Sequence, residues 1–120
     1  MAVRIKRVYD KAEAADGVRV LVDRLWPRGV SKEKGGIDRW LKEISPSNEL
    51  RTWYGHDPAR WEGFKARYFG ELEHHGDVIG ELVEQAKTGT VTLLYASTEK
   101  RINNAVALKE YLARIMHETP

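Results

Sequence analysis

Apolar positions along the chain of 120 residues follow two periods, and the changes between them mark the predicted elements. In residues 3–9, Val3, Ile5 and Tyr9 alternate with Arg4, Lys6 and Val8, an imperfect period of two that predicts a first strand. Residues 18–23 form a second strand, richer in valine and leucine than one wet face requires. Between them, residues 10–17 suit either a short helical crossover or an irregular turn. Residues 91–96, following a Gly-Thr turn, make a compact β-rich run and the best candidate for a central strand.

The remaining apolar positions recur at helical spacing. Asp38 is read as the cap of a short helix carrying Trp40, Leu41 and Ile44, and Ser45, Pro46 and Ser47 break it. Ser47 then caps another short helix through Leu50, Trp53 and Tyr54. Asp57 and Pro58 give the clearest helix start in the chain, because a carboxylate accepts from free amides and proline suits the first helical position. Trp61, Phe64, Tyr68 and Leu72 follow as one stripe, with Gly76 read as a left-handed terminator. Asp77 is expected to open a shorter helix with Val78, Ile79, Leu82, Val83 and Ala86 on one face, ended by Gly89. From about Arg101 a final helix places Ala105, Leu108, Leu112 and Ile115 together, and residues 117–120 are expected to fray. Strands interleaved with helices predict a single α/β domain with a small, mostly parallel sheet of three to four strands.

Composition narrows the function classes. The chain is 42% hydrophobic and 32% charged, close to ordinary globular usage. A formal charge of +2 is too small to imply polyanion binding by itself. Its distribution is uneven: residues 1–60 carry 13 basic and 9 acidic side chains, so an anion site is expected to draw on the first half. There is no cysteine, which excludes disulfides, thiolate nucleophiles and thiolate metal sites. No window approaches the roughly 18 apolar residues of a membrane span, and the expectation is a soluble, cytoplasmic protein.

Three constellations are candidates for chemistry. Asp23, Arg24, Trp26 and Arg28 fall at the end of the second strand, where open α/β sheets bind ligands. Arginine offers a planar, permanently charged fork for phosphate or carboxylate, and tryptophan a face for stacking. Equally, Asp23 can pair with an arginine and Trp26 can be core. His56 precedes the Asp57 cap and is suited to anion binding or proton transfer, or else is a plain loop residue. Ser97, Thr98 and Glu99, followed by Asn103 and Asn104, lead from a strand into a helix start, which suits a phosphate or ordinary capping. His74 and His75 are adjacent and point apart on a helix, so no metal site is assigned.

Residues 22–34, the segment 45–50, Gly55 to Pro58 with Trp61, Phe64 and Tyr68, and Leu93 to Ala96 with Asn103, Asn104 and Ala105 together resemble the YeaO-like proteins, one branch of a bacterial and archaeal domain family of unknown function. The resemblance spans nearly the whole chain and implies a compact α/β fold, with no established activity, substrate or cofactor. The wider family is similar at residues 22–27 and often carries Cys-His-Arg where this chain has Asn103, Asn104 and Ala105. A cysteine-based mechanism does not transfer. Close relatives often carry an acid at the position of Glu99 and a histidine at that of Ile102, so this chain lacks that imidazole.

The leading expectation is a pocket at the strand carboxyl ends for a small anionic or nucleotide-like molecule. Arg24, Trp26, Arg28, Ser97, Asn103 and Asn104 would bind it. If the protein is an enzyme, Asp23 or Glu99 is the general acid or base and His56 the proton carrier. The alternative is a nucleic-acid or protein interaction module in which Arg28, Lys32, Lys34 and Arg39 touch phosphates. A third reading makes the arginines architectural partners of Asp23, Glu33 or Asp38.

Overall fold

A computed structural model describes residues 2–118. Its sheet has four strands, β1 (Ala2–Arg7), β2 (Val18–Leu21), β3 (Arg39–Trp40) and β4 (Thr90–Tyr95). They lie in the order β1-β4-β2-β3, and every neighbouring pair is parallel. β4 stands between β1 and β2, the central position expected for residues 91–96. The first two strands are thus parallel without touching. Their connection holds one turn of 3-10 helix, Ala14–Asp16, which answers the open choice for residues 10–17.

Side chains alternate across the sheet, so one face and then the other is served by each strand. Val3, Ile5, Val18, Val20, Val22, Val91, Leu93 and Tyr95 belong to the main core. Against them pack α1 (Asn48–Tyr54), α2 (Trp61–Leu72), α3 (Gly76–Thr88) and α4 (Asn104–Glu118). The stripe of Phe64, Tyr68 and Leu72 is buried as the spacing predicts, and the Tyr68 hydroxyl donates to the Ile44 carbonyl at 2.6 Å. None of these helices is long and apolar enough to cross a membrane.

The opposite face is mixed. Near its amino end the buried Asp16 carboxylate accepts from Arg19, from Lys6 at 3.2 Å and from the Glu13 amide at 3.0 Å, while Thr92 donates to the Asp16 carbonyl. Farther along, Val8, Leu21 and Leu94 meet Trp26, Ile37 and Trp40, with the two indoles edge to face at 5.4 Å. The long loop of residues 22–38 supplies this cover instead of a helix.

Four local expectations are corrected. Asp38 caps no helix: its carboxylate accepts from the Arg19 amide and its own amide donates to the Arg19 carbonyl, which docks residues 39–40 as an edge strand. Only Lys42–Ile44 winds, as a 3-10 turn. Gly76 has φ −54° and begins α3 after a 3-10 turn at Glu73–His75; the left-handed cap is Gly55, at the end of α1. At 13 residues α3 is also no shorter than α2, with 12. The final helix starts at Asn104, three residues later than the pattern suggested, and runs through His117 to Glu118. Of the tail expected to fray, Thr119 and Pro120 lie outside the described residues.

Burial pushes the Asp16 carboxyl up, but the Glu13 amide, Lys6 and Arg19 outweigh it and hold the group below its ordinary 3.8. Its charged form therefore stabilises the fold fully above that value and progressively less as pH falls through the lower folded value. Asp16→Asn, which leaves the buried Arg19 without its carboxylate, is expected to cost on the order of 3 kcal/mol at neutral pH. Urea unfolding checks this, and the variant should lose less stability than the wild type on acidification below about pH 4. Gly17 has φ +64°, and a Cβ there would overlap the Thr90 carbonyl oxygen. Gly17→Ala should lower the urea midpoint by an amount equivalent to about 2 to 3 kcal/mol.

Candidate functional site

Where β2 ends, the Val22 amide still donates to the Leu94 carbonyl, and Asp23 follows, hydrogen-bonded to three neighbours. Asp23 Oδ2 accepts from the Ala96 amide at 2.8 Å and Oδ1 from Asn104 Nδ2 at 3.0 Å, while its carbonyl accepts from the Trp40 indole. Burial pushes the Asp23 carboxyl above its ordinary value, opposed by Asn104, the Ala96 amide and the Arg51 charge. The residue ties the ends of β2 and β4 to the start of α4.

Beside that knot opens a cleft of about 610 Å³ at the carboxyl ends of β2 and β4. Arg24, Trp26 and Arg28 line it from the loop after β2. Ser97, Asn103 and Asn104 line it from the join between β4 and α4, and His56 from the loop after α1. The structure thus brings to one concavity every sequence-predicted residue except Glu99. That side chain is exposed, accepts from the Arg101 amide and lies outside the lining.

The individual environments differ. Arg24 and Arg28 are exposed, and Arg24 stands on the divide between the cleft and a shallower hollow containing Glu43, Glu49 and Glu71. Trp26 is half-buried, its indole donating to the Val30 carbonyl at 2.6 Å, which fixes the turn around Pro27. The Tyr9 hydroxyl donates to the Arg28 carbonyl from across the loop. Asn103 caps α4, with Oδ1 accepting from the Val106 amide and Nδ2 donating to the Glu99 carbonyl, so both its polar atoms serve the turn. Asn104 spends only its nitrogen, on Val22 and Asp23. Ser97 Oγ accepts from the Glu99 amide. His56 has φ +56°, immediately after Gly55 at φ +53°, a left-handed pair that turns the chain back toward the cleft.

Arg51 and Tyr54, both on α1, also line the cleft without being among the predicted site residues. Leu50 and Tyr54 form the buried edge of that helix and Arg51 flanks it, a pattern visible in sequence once α1 is known to lie over the strand ends. The charged lining is therefore Arg24, Arg28 and Arg51 against Asp23 alone. Among the described residues none of the three guanidinium groups has a carboxylate at ion-pair distance. The architectural reading is thereby corrected, because Asp23 is taken by Asn104 and Ala96 and Asp38 by the backbone of Arg19.

Comparison with known proteins bears on the whole chain. A family signature described as the inactive DUF488-N3 subclade matches residues 2–120. The chain is 42% identical over 112 residues to uncharacterized protein YeaO of Escherichia coli, covering 93% of this chain and 97% of that one. It is 39% identical over 110 residues to uncharacterized protein Mb3100c of Mycobacterium bovis and to uncharacterized protein Rv3073c of Mycobacterium tuberculosis, with 92% of each chain covered. No solved structure matches it. With its full described length inside the signature and these relatives aligned nearly end to end, the chain belongs to the YeaO-like DUF488-N3i family.

Proposed function

We propose that the chain is a cytoplasmic binding domain that holds a small organic anion in the cleft at the carboxyl ends of β2 and β4, without transforming it. The observation that carries this reading is the surplus of positive charge: three guanidinium groups without carboxylate partners line one concavity with a single acid. An arginine fork suits phosphate and carboxylate geometry, and its charge does not depend on pH in the ordinary range. The position also agrees with the rule that open α/β sheets bind ligands outside the carboxyl ends of their strands.

Two observations favour binding over catalysis. Both oxygens of Asp23 already accept hydrogen bonds from the fold, and Glu99 lies outside the cleft, so the acid–base set suggested by the sequence is not assembled around His56. The description of the family as inactive agrees. The polyanion alternative is weakened by Arg39, which is committed to Glu81 of α3 at 2.8 Å.

Calorimetric titration with inorganic pyrophosphate as the probe tests the reading. Wild-type protein should bind it, Arg28→Ala and Arg51→Ala should each weaken binding about tenfold or more, and Arg28→Ala should not lower the melting temperature. An absence of binding, or unchanged affinity in the double variant, would overturn it. Affinity for duplex DNA that exceeds that for pyrophosphate and collapses steeply with salt would favour the polyanion alternative instead.

A further inference from the structure

The arginine rim accounts for only part of the cleft. Its volume of about 610 Å³ lies within the roughly 300–1,000 Å³ of sites that enclose whole organic ligands, far more than an inorganic anion needs. Part of the rest of the lining is apolar, with Pro27, Pro46, Phe64 and Ile102 inside it. At its mouth stand Tyr9, 47% exposed, and Leu25, 70% exposed, the two exposed large hydrophobic side chains of the described residues. One such residue needs no explanation, but both at one concavity mark where an apolar body is received.

Two of the polar atoms beside these apolar residues have no partner within the described residues. Tyr54 is only 8% exposed, and its ring packs on Phe64 at 4.6 Å and Trp61 at 6.1 Å. Its hydroxyl has no hydrogen bond within the described residues, and Tyr54 lines the cleft. Buried tyrosines ordinarily find a partner, as Tyr68 does at Ile44. Asn104 Oδ1 is likewise unpaired, and its nitrogen is spent on Val22 and Asp23, which leaves the oxygen as an acceptor facing a ligand's donor.

An anionic head, apolar faces and a hydrogen-bonding edge are demanded together. An alkyl body lacks the edge, and a sugar alone lacks the apolar faces; a heteroaromatic ring has both. We infer that the ligand is a free nucleoside monophosphate, its phosphate on Arg28 and Arg51, its base on the apolar floor, and the base edge read by Tyr54 and Asn104. This rests on the anion-binding reading above and adds the identity of the body.

Titration of the wild type and Tyr54→Phe with AMP, ribose phosphate and inorganic phosphate separates the two claims. AMP should bind at least about tenfold tighter than either of the others. Tyr54→Phe, which keeps the ring, should weaken AMP about three- to tenfold while leaving inorganic phosphate and the melting temperature unchanged. Ribose phosphate or inorganic phosphate matching AMP would overturn the base-recognition claim and leave the anion reading standing. AMP binding that ignores Tyr54→Phe would overturn the role of the hydroxyl, and no binding by any probe would sink both readings. A short adenylate oligonucleotide binding tighter than AMP would overturn the claim of a free nucleotide, because the phosphate and base would then come from a strand.

Discussion

Asp23 is the constraint on which the functional end of this fold depends. One carboxylate oxygen takes the first amide beyond β4, the other takes the side chain that opens α4, and the carbonyl takes the indole of β3. Four elements are thus located by one residue, and the loop carrying Arg24, Trp26, Pro27 and Arg28 leaves from it. A neutral side chain of similar shape has only one acceptor oxygen and would leave one of the two N–H donors facing a donor. Burial opposes the charge, and two of the three groups that compensate it, the Ala96 amide and Asn104, are groups it positions.

The rest of the architecture follows from what each face of the sheet is given to bury. The helices cover one face with apolar stripes, and the other is left to a crossover of residues 22–38. A parallel connection is usually helical. Here Pro27, Gly29, Gly35 and Gly36 interrupt any helix, with Gly29 and Gly36 at positive φ. Two tryptophans therefore do the covering, each spending its indole N–H on a carbonyl: Trp26 on Val30 and Trp40 on Asp23. An irregular cover can be aimed where a helix could not, and this one delivers two arginines to the strand ends.

Much of this was legible in the sequence where the signal is local. The valine-rich strands, the Asp57-Pro58 start and the Ser47 cap are decided by neighbours a few residues away, and the structure has them. The stretch from Asp38 to Ile44 was misread because a two-residue strand has no periodicity to display. Its position is set instead by long-range backbone bonds to Arg19 and Leu21. Gly76 was misread for the converse reason: local preference favours a stop, but the next turn continues the helix. At the site, residues at strand ends declared themselves, and Arg51 and Tyr54 did not. Their place in the cleft depends on how α1 lies across the sheet, which no spacing encodes.

The same accounting supports the proposed reading, in which a cleft furnished with an acid, a histidine and arginines holds a ligand rather than transforming it. A general base must accept a proton and release it without disturbing what positions it. A proton on Asp23 would arrive at an oxygen already accepting from Ala96 or Asn104 and would weaken the bond that fixes β4 or α4. The raised carboxyl that looks poised for chemistry is thus tied to the geometry of the site itself. Arg28 and Arg51 make no such hydrogen bond to the strand ends. On the proposed reading they are the charged groups that engage a ligand while Asp23 holds the fold around it.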